Sequence, residues 1–564
     1  MKRFFSLIIG IALCGYSYGQ SDLVPYNKDY YNLLDRYEIK QKTFSQSFHS
    51  ISKPYSRADI ATFIEQYQEA GHTLSMADKF NLDYLKADNW QWISDSTVAD
   101  AEKPFLTYFY KKKTDLYHVK TKNLVLRANP VLYTMIGSDK ESDSFTFYNT
   151  RGVTVQGSLD NKIGFYFYAA DNLMRFPAYV ERDIQKQGAI AGEGRWLPSG
   201  DGNDQREYFT GRGYITFAVS ESINAQFGYD KNFIGDGYRS MILSDNSNDY
   251  LFLKLNTKVW KLNYTNIFAQ MMADNDKGDG QVLPKKYLAF HHLSANILKN
   301  LNIGFYESVM YAREGGGIEL AYMNPIMFYR SLEHDLGDGD SVILGADLKW
   351  NIFNCLQLYG QLAIDDIQFK ELFKGSGWYA NKFAIQMGGK YIDAFKVSNL
   401  DLQGEINIVK PYMYSHFQNI QNSSSIAGGY HHYQQPLAHP LGANLKEFIG
   451  MVRYQPSSLP KFNFRLKGIY VEQGLSTETE NWGDDIFRDY TTRVQEYGNK
   501  TGQGVASKTL MAEANVSYQF FHNFFVDLQY IYRKQSIEEM ATPYNTSYTN
   551  LAIRWNVGQK LNEF

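Results

Sequence analysis

The sequence predicts an all-β transmembrane barrel of about 18 antiparallel strands behind a small N-terminal α-helical domain. Three observations predict it. About seventeen or eighteen segments that alternate apolar and polar residues fill the chain from near Asn123 to Val557. Tight turns and long connections alternate between them. A secretion signal precedes them, and the 564-residue chain ends on an aromatic, Phe564.

The signal is the first element. Lys2 and Arg3 precede an apolar run, Phe4 to Cys14, and Ser17-Tyr18-Gly19 supply the small residues before a mature start at Gln20. The run is too short for a membrane-spanning helix. A lipoprotein signal through Cys14 is the weaker alternative, because Leu13 is bulky where such signals want a small residue. The mature chain then holds one cysteine, Cys355, which excludes an intrachain disulfide and structural Cys₄ or Cys₂His₂ zinc. Charges nearly cancel, 57 basic against 60 acidic, which argues against a nucleic-acid partner. Mean hydropathy is −0.42, yet aromatics reach 16%, as the two interfacial girdles of a membrane barrel require.

Residues 20–120 form the second element. Ser56-Arg-Ala-Asp59 resembles a capping box, and Ile60, Phe63 and Ile64 follow at helical spacing. Gly71 ends that helix, and Ser75 caps a second one running to about Ala87. Asp29 to Ile39 is a third candidate. Their polar faces predict a water-exposed domain, placed in the periplasm; a packing or plug element is the plainer reading.

The barrel itself is assigned to 121–564. Leu344, Ala346, Leu348 and Trp350 share one face, with Gly345, Asp347, Lys349 and Asn351 on the other. A turn at Phe353-Asn354 returns the chain through Leu356 to Ile364. Val516 and Phe520 oppose Ser517 and Gln519, His522-Asn523 turns, and the last strand sets Leu551, Ile553 and Trp555 against Asn550, Ala552 and Arg554. Further tight turns fall at 160–161, 220–222, 299–300 and 456–460. Long connections fall at 171–210, 231–249, 272–286, 312–340, 366–380, 410–445, 472–506 and 534–546. That alternation is expected of periplasmic turns and extracellular loops, and an even strand number puts both termini in the periplasm. A soluble propeller needs a repeating blade motif that the sequence lacks. Phe564 fits the aromatic end read by the outer-membrane insertion machinery, although Asn562 and Lys560 break the apolar steps before it.

The polar strand faces carry Asp401, Gln403, Glu405, Glu447, Arg453, Arg465, Lys467, Asp527, Arg533 and Arg554. Mixed signs argue against a pore selective for one sign of ion. A barrel this wide is a channel unless loops or the helical domain fill it.

Three places stand out. Strand phase carries Asp230 and Asn232 to the lumen; Gly235 and Gly237 allow tight turning, and Arg239 offers a planar donor fork for carboxylates or sugar hydroxyls. Glu307 alternates with Ile303, Phe305, Val309 and Tyr311, so a carboxylate would meet lipid unless a bulge or inverted phase turns it inward, toward Arg239 or Arg313. Asn324-Pro325 beyond it is turn chemistry. In the third, Tyr430, His431, Tyr433 and His439 read as an extracellular loop suited to stacking on glycans; no acidic residue or cysteine lies beside the histidines, so no metal is assigned. No cofactor is assigned either. Gly-x-Ser-x-Gly is absent and Asp365-Asp366 resembles loop solvation, so no catalytic residue is named.

Residues 230–245, Tyr264-Thr-Asn-Ile-Phe268, Phe305-Tyr-Glu307, Asn324-Pro325 and His439-Pro-Leu-Gly-Ala-Asn444 resemble the capsule-assembly Wzi-type outer-membrane proteins of Bacteroidetes, and among them look most like the gliding-motility RemB type. The resemblance implies an 18-stranded barrel with a periplasmic helical domain. It also implies a non-enzymatic role at the cell surface, retaining capsular polysaccharide or supporting gliding and surface adhesins. The implied partners are outer-membrane lipids, the insertion machinery, and either polysaccharide or motility and secretion proteins. In this reading Asp230, Asn232, Arg239 and Glu307 hold the lumen closed, while Tyr430, His431, Tyr433 and His439 face outward. A diffusion channel is the second reading; an outer-membrane enzyme is the third.

Overall fold

The computed structural model describes residues 20–102, 105, 108–142, 144–200, 204–274, 282–313, 316–337, 339–417 and 427–564. The expected signal peptide, 1–19, lies outside them. Eighteen antiparallel strands close a barrel, as the alternation predicts. They are β1 (Leu124–Asp139), β2 (Ser144–Leu159), β3 (Ile163–Arg175), β4 (Gln205–Ser220), β5 (Ile223–Asp230), β6 (Tyr250–Val259), β7 (Leu262–Met272), β8 (Lys285–Leu298) and β9 (Leu301–Tyr311). The second half comprises β10 (Ser341–Ile352), β11 (Leu356–Asp366), β12 (Lys382–Tyr391), β13 (Leu400–Val409), β14 (Leu445–Tyr454), β15 (Phe462–Leu475), β16 (Val505–Phe521), β17 (Phe524–Ile537) and β18 (Tyr544–Trp555). Each pairs with its sequence neighbour, and β18 returns to β1 with Trp555 opposite Leu132.

One end of the barrel carries the tight turns. Asp160 and Asn161, both at φ 51°, make the two-residue reversal that suits twisted strands. The long connections all leave from the other end. Outward positions are apolar, among them Ile136, Phe167, Ile215, Leu293, Leu348, Leu466 and Leu528, and inward positions mix polar and charged side chains with apolar ones that meet the segments inside. Trp260, Trp350, Phe353, Phe395, Phe520 and Phe521 ring the turn end on the outside, the position of an interfacial girdle. No helix among the described residues is long and apolar enough to cross a membrane.

The N-terminal helices form where the sequence places them. Asn27 caps α1 (Lys28–Gln41), accepting from Asp29 N and Tyr30 N; Ser56 caps α2 (Arg57–Glu69). Ser75 and Asp78 close a capping box on α3 (Met76–Asp88). Tyr30, Tyr31, Leu34, Ile60, Phe63, Ile64, Tyr67, Leu82 and Leu85 share a small core.

The polar faces do not meet bulk water as expected: they meet the polar barrel wall. Arg36 pairs with Asp401 of β13 and with Asp393 in the turn before it, Asp35 with Lys390 at 2.6 Å, and Glu38 with Lys349 at 2.6 Å. The domain therefore fills the turn-end mouth. Ser52–Lys53 also pairs antiparallel with Phe233–Ile234 of the 231–249 connection, which has folded inward to meet it.

The lumen holds more. Met241, Ile242 and Leu243 of that connection lie against inward-facing Phe252, Ile267, Leu288 and Phe290 in the largest buried cluster. Helix α4 (Ala178–Gln187) and much of 410–444 join them. Phe564 ends no strand. β18 stops at Trp555, and 556–564 turns back into the barrel, where Lys560 reaches Tyr208 and Asn172 and the ring of Phe564 lies near Arg239.

Burial raises the affinity of Asp29, Asp35, Asp78, Asp88 and Asp393 for protons, yet the facing cations outweigh it and hold all five below the usual carboxylate range. Asp22 and Asp59 are shifted the opposite way by burial. Asp29, Asp35 and Asp393 face their cations across the interface, Asp88 on both sides of it and Asp78 within the domain. Together they favour the folded, docked domain above the unfolded carboxylate value, about 4, and that contribution is lost as pH falls through their folded values. Pepsin cleavage between Gln41 and Ser56 is expected to stay slow at pH 4.5 and accelerate toward pH 2.5. Equal protection at both pH values would show that ion pairs do not hold the domain in place.

Candidate functional site

The interior is organised by a ladder of charges that crosses the lumen. Arg239 reaches Glu447 of β14 at 2.8 Å and Glu563 of the returning tail at 2.6 Å. Glu563 also binds Lys467 at 2.6 Å and the Tyr238 hydroxyl; Lys467 binds Glu513 at 2.8 Å, and Glu513 binds Arg465 at 2.7 Å. Arg465 meets Asp29 of α1 at 3.2 Å. Burial opposes ionisation of Glu563, but Arg239, Lys467 and Lys28 outweigh it and hold the carboxyl well below its usual range. One chain of pairs thus ties an inward loop, the tail, three wall strands and the N-terminal helix.

Backbone geometry makes the loop's part possible. Glu405 of β13 accepts Tyr238 N at 2.6 Å and Arg239 N at 3.0 Å. A Cβ at Gly237 would come within 2.5–2.7 Å of Gln386 and Glu405, so glycine serves close approach to the wall there. Gly235, at φ 145°, does supply backbone freedom, beside Gln361. Asn232 is buried, accepting from Lys254 at 3.2 Å, and Asp230 lies 3.9 Å from Arg212.

Glu307 is placed differently from expectation. The β9–β10 register is unbroken, and β8–β9 shifts only at Asn296/Leu298, near the turn. Glu307 therefore faces outward in step with Phe305, which is 65% exposed, yet Glu307 itself is 2% exposed. Residues 316–337 of the 312–340 connection fold down over the outer wall and cover it. Its helix α5 (Tyr329–Leu336) has no side-chain cap of its own; Tyr329 N and Arg330 N donate to the two Glu307 oxygens at 2.7 and 2.8 Å. His291 Nε2 stands 3.2 Å away, its ring 4.5 Å from that of Tyr329. Asn324 Oδ1 accepts Ile326 N at 3.2 Å, and the Tyr264 hydroxyl donates to Pro325 O. Arg239 and Arg313 are not its partners: Arg313 pairs with Asp340 at 2.7 Å.

The histidine segment is also corrected. Tyr430, His431 and His439 are buried and Tyr433 is half-buried, so they form no outer contact surface. His439 donates from Nε2 to Glu447 at 2.8 Å while Nδ1 accepts Leu441 N, and Ser308 donates to the Tyr430 hydroxyl at 3.3 Å. Burial pushes His432 down to about 4; its Nδ1 accepts Met272 N and Nε2 donates to Asp249 O. Asn444 ties the segment to the next connection through Gly474 O, Gln503 O and Gly502 N. Among the described residues no group of three His, Cys, Asp or Glu is placed to hold a metal.

What the long-loop end does expose is an aromatic ledge that the sequence reading passed over. Tyr379 N donates to Glu496 O at 2.8 Å and Gly498 N to Ser376 O at 2.8 Å, joining the 367–381 and 476–504 connections. On that seam the Arg493 guanidinium lies 3.7 Å over the Tyr379 ring, Trp378 sits 5.6 Å from Tyr379, and Tyr490 6.1 Å. All four are half-buried. The signal was present as Trp378-Tyr379 in one long connection and Tyr490 with Arg493 in another, but nothing in sequence joins the two.

In overall fold the chain is similar to Wzi of Escherichia coli, an outer-membrane protein involved in group 1 capsule assembly and a carbohydrate-binding β-barrel. The TM-score is 0.58, with 11% identity over 96% of this chain and all of Wzi. The likeness is one of fold. It extends, at TM-scores of 0.41 and 0.40, to OprD of Pseudomonas aeruginosa and OccAB4 of Acinetobacter baumannii; identities are 11% and 10%, covering 76% and 77% of this chain and 94% and 98% of theirs. No family model and no curated protein matches the sequence. The Wzi-like barrel fold, closed by 18 strands and girdled by aromatics, supports a place in the outer membrane.

Two outcomes are expected. Arg239→Ala leaves Glu447 and Glu563 without their guanidinium, a loss of about 3–5 kcal/mol for a broken buried pair; the urea midpoint of the refolded barrel falls, and Glu563→Gln in the same chain recovers part of it. Glu307→Ala removes the cap of α5, worth about 1 kcal/mol, and speeds proteolysis within 316–337 while leaving the barrel resistant. A midpoint unchanged by the first substitution, or cleavage unchanged by the second, contradicts these assignments.

Proposed function

We propose that this protein is a non-enzymatic outer-membrane scaffold that retains polysaccharide at the cell surface. Its helical domain and turn end face the periplasm, and its long loops face outward. The observation that carries the reading is the pairing of a lumen largely filled by its own segments with a partly exposed aromatic and guanidinium ledge at the long-loop end. A filled lumen suits a holder better than a pore. Aromatic faces flanked by a few fixed polar groups are what sugar rings bind, and the Tyr379–Arg493 stack holds such a face rigidly. The fold shared with a carbohydrate-binding capsule protein supports the same reading.

Replacing Tyr379 and Arg493 together by alanine is expected to release surface polysaccharide into the medium while the protein remains in the outer membrane at normal amount. Retention equal to that of the parent overturns the ledge as the contact site. A deletion strain scored for both polysaccharide staining and cell spreading separates this reading from support of gliding and adhesins: lost spreading with intact polysaccharide favours the latter. In a planar bilayer the purified protein is expected to pass no steady current. A large, constant conductance would make it a diffusion channel instead.

A further inference from the structure

The lumen is not completely filled. A cavity of about 280 Å³ lies toward the turn end between α1 and the wall, and one of about 270 Å³ lies toward the long-loop end beside α4 and the 231–249 connection. Tyr26, Asn27, Asp29, Arg465 and Gly558 line both, so the two meet there. At this junction Asp29, in the first turn of α1, stands 3.2 Å from Arg465 and 4.0 Å from Arg554. Its side chain keeps 44% of its exposure, although it lines a cavity inside the barrel. Arg453 lies directly across from Arg465 in the β14–β15 register. It donates to Gln403 Oε1 at 3.1 Å and contacts Met451 Sδ at 3.4 Å; no carboxylate among the described residues pairs with it, and its Nε has no acceptor.

Three guanidiniums from β14, β15 and β18 therefore surround one loosely held carboxylate. Arg465 and Arg554 are already oriented by Glu513 and Asp527, at 2.7 and 2.6 Å, and Arg554 is further fixed over the Phe525 ring at 4.0 Å. Rigid planar forks of this kind match a carboxylate in two-point geometry. Around them Asn27, Asn463, Asn515 and the Tyr26 ring line the first cavity. Amide groups and an aromatic face suit the hydroxyls and ring of a sugar. A free acid such as acetate would use the guanidiniums alone.

We infer that this junction is a binding site for a uronate, the carboxylate-bearing sugar of acidic polysaccharides, whose acid group enters the cradle of Arg453, Arg465 and Arg554 that Asp29 half fills. The sugar class rests on the polysaccharide reading above, but the site is separate from the ledge. Asp29 acts as the internal competitor, so ligand entry and the hold of the wall on α1 are linked. The second cavity is the approach from the long-loop end.

The test is calorimetric titration of the full chain in detergent micelles with glucuronate and galacturonate, and with glucose and acetate as the neutral sugar and the bare acid. A uronate is expected to bind about tenfold or more tightly than glucose or acetate, the worth of one charge-assisted hydrogen bond. Asp29→Asn is expected to tighten uronate binding by a similar factor, and Arg453→Gln to abolish it. Arg453 pairs with no residue of α1, so this variant carries the test even where Asp29→Asn disturbs docking; heat-modified gel mobility confirms the closed barrel. No uronate binding, acetate binding as tightly as uronate, or uronate binding untouched by Arg453→Gln each overturns the site. Retention lost in the ledge variant but intact in Arg453→Gln leaves the surface function standing whatever the titration shows.

Discussion

A closed barrel of this size encloses more space than its own inward side chains can fill, and charged side chains of both signs are spread among them. Every segment that enters must therefore bring opposite charges to the right height, and the ladder from Arg239 through Glu563, Lys467, Glu513 and Arg465 to Asp29 records that matching. Pairs of this kind add little net stability, because desolvation consumes most of the attraction, but leaving one partner alone costs several kcal/mol. Their effect is to forbid wrong placements. The holding energy comes from elsewhere: Met241, Ile242 and Leu243 set against Phe252, Ile267, Leu288 and Phe290, at roughly 1.5–3 kcal/mol for each large side chain fully buried. Charges choose the register of the filling, and apolar contacts keep it.

That division explains what the sequence could and could not disclose. Strands were legible because lipid outside and a polar lumen inside impose a period of two on each of them. Helix starts were legible because Ser56 and Ser75 act within one turn of themselves. The destination of α1 was not legible, since Arg36, Asp35 and Glu38 look identical whether they face water or Asp401, Lys390 and Lys349. The same ambiguity hid the histidine segment. A stretch rich in Tyr, His and Gly reads as an exposed loop, and only tertiary structure shows His439 holding Glu447 and Asn444 stapling two connections. Phe564 was read only as the aromatic of an insertion signal, because nothing local tells that the segment after Trp555 turns back into the barrel.

Filling from three directions also separates tasks in space. With α1, the 231–249 connection and the tail locked to one another, the loops above them gain a fixed floor. Tyr412 of the 410–445 connection packs against the ledge, 6.5 Å from Tyr379, and two residues on Tyr414 donates to Met241 O at 2.7 Å, linking the same connection to the filled lumen. Surface aromatics on long connections are ordinarily free to move. Here they rest on a core continuous with the lumen, which reduces the ordering cost of any contact made there.

Glu307 shows how the barrel meets the same electrostatic demand on its opposite face. A carboxylate pointing at hydrocarbon is tolerated only if its acceptors are satisfied. Two backbone N–H groups at the start of α5 do this, and those groups in turn had no intrahelical partner. Each solves the other's desolvation problem, so the charge and the covering loop are one structural unit. Asn266, cross-strand to His291, is outward yet buried beneath the same cover. A bulge that turned Glu307 inward would have flipped Val309 and Tyr311 with it, and an inverted phase would have taken Phe305 and Ile303 off the lipid face. Covering one residue from outside keeps the period of the whole strand intact. An apparent exception to the alternation therefore marks where a loop lies on the wall, rather than where the wall is broken.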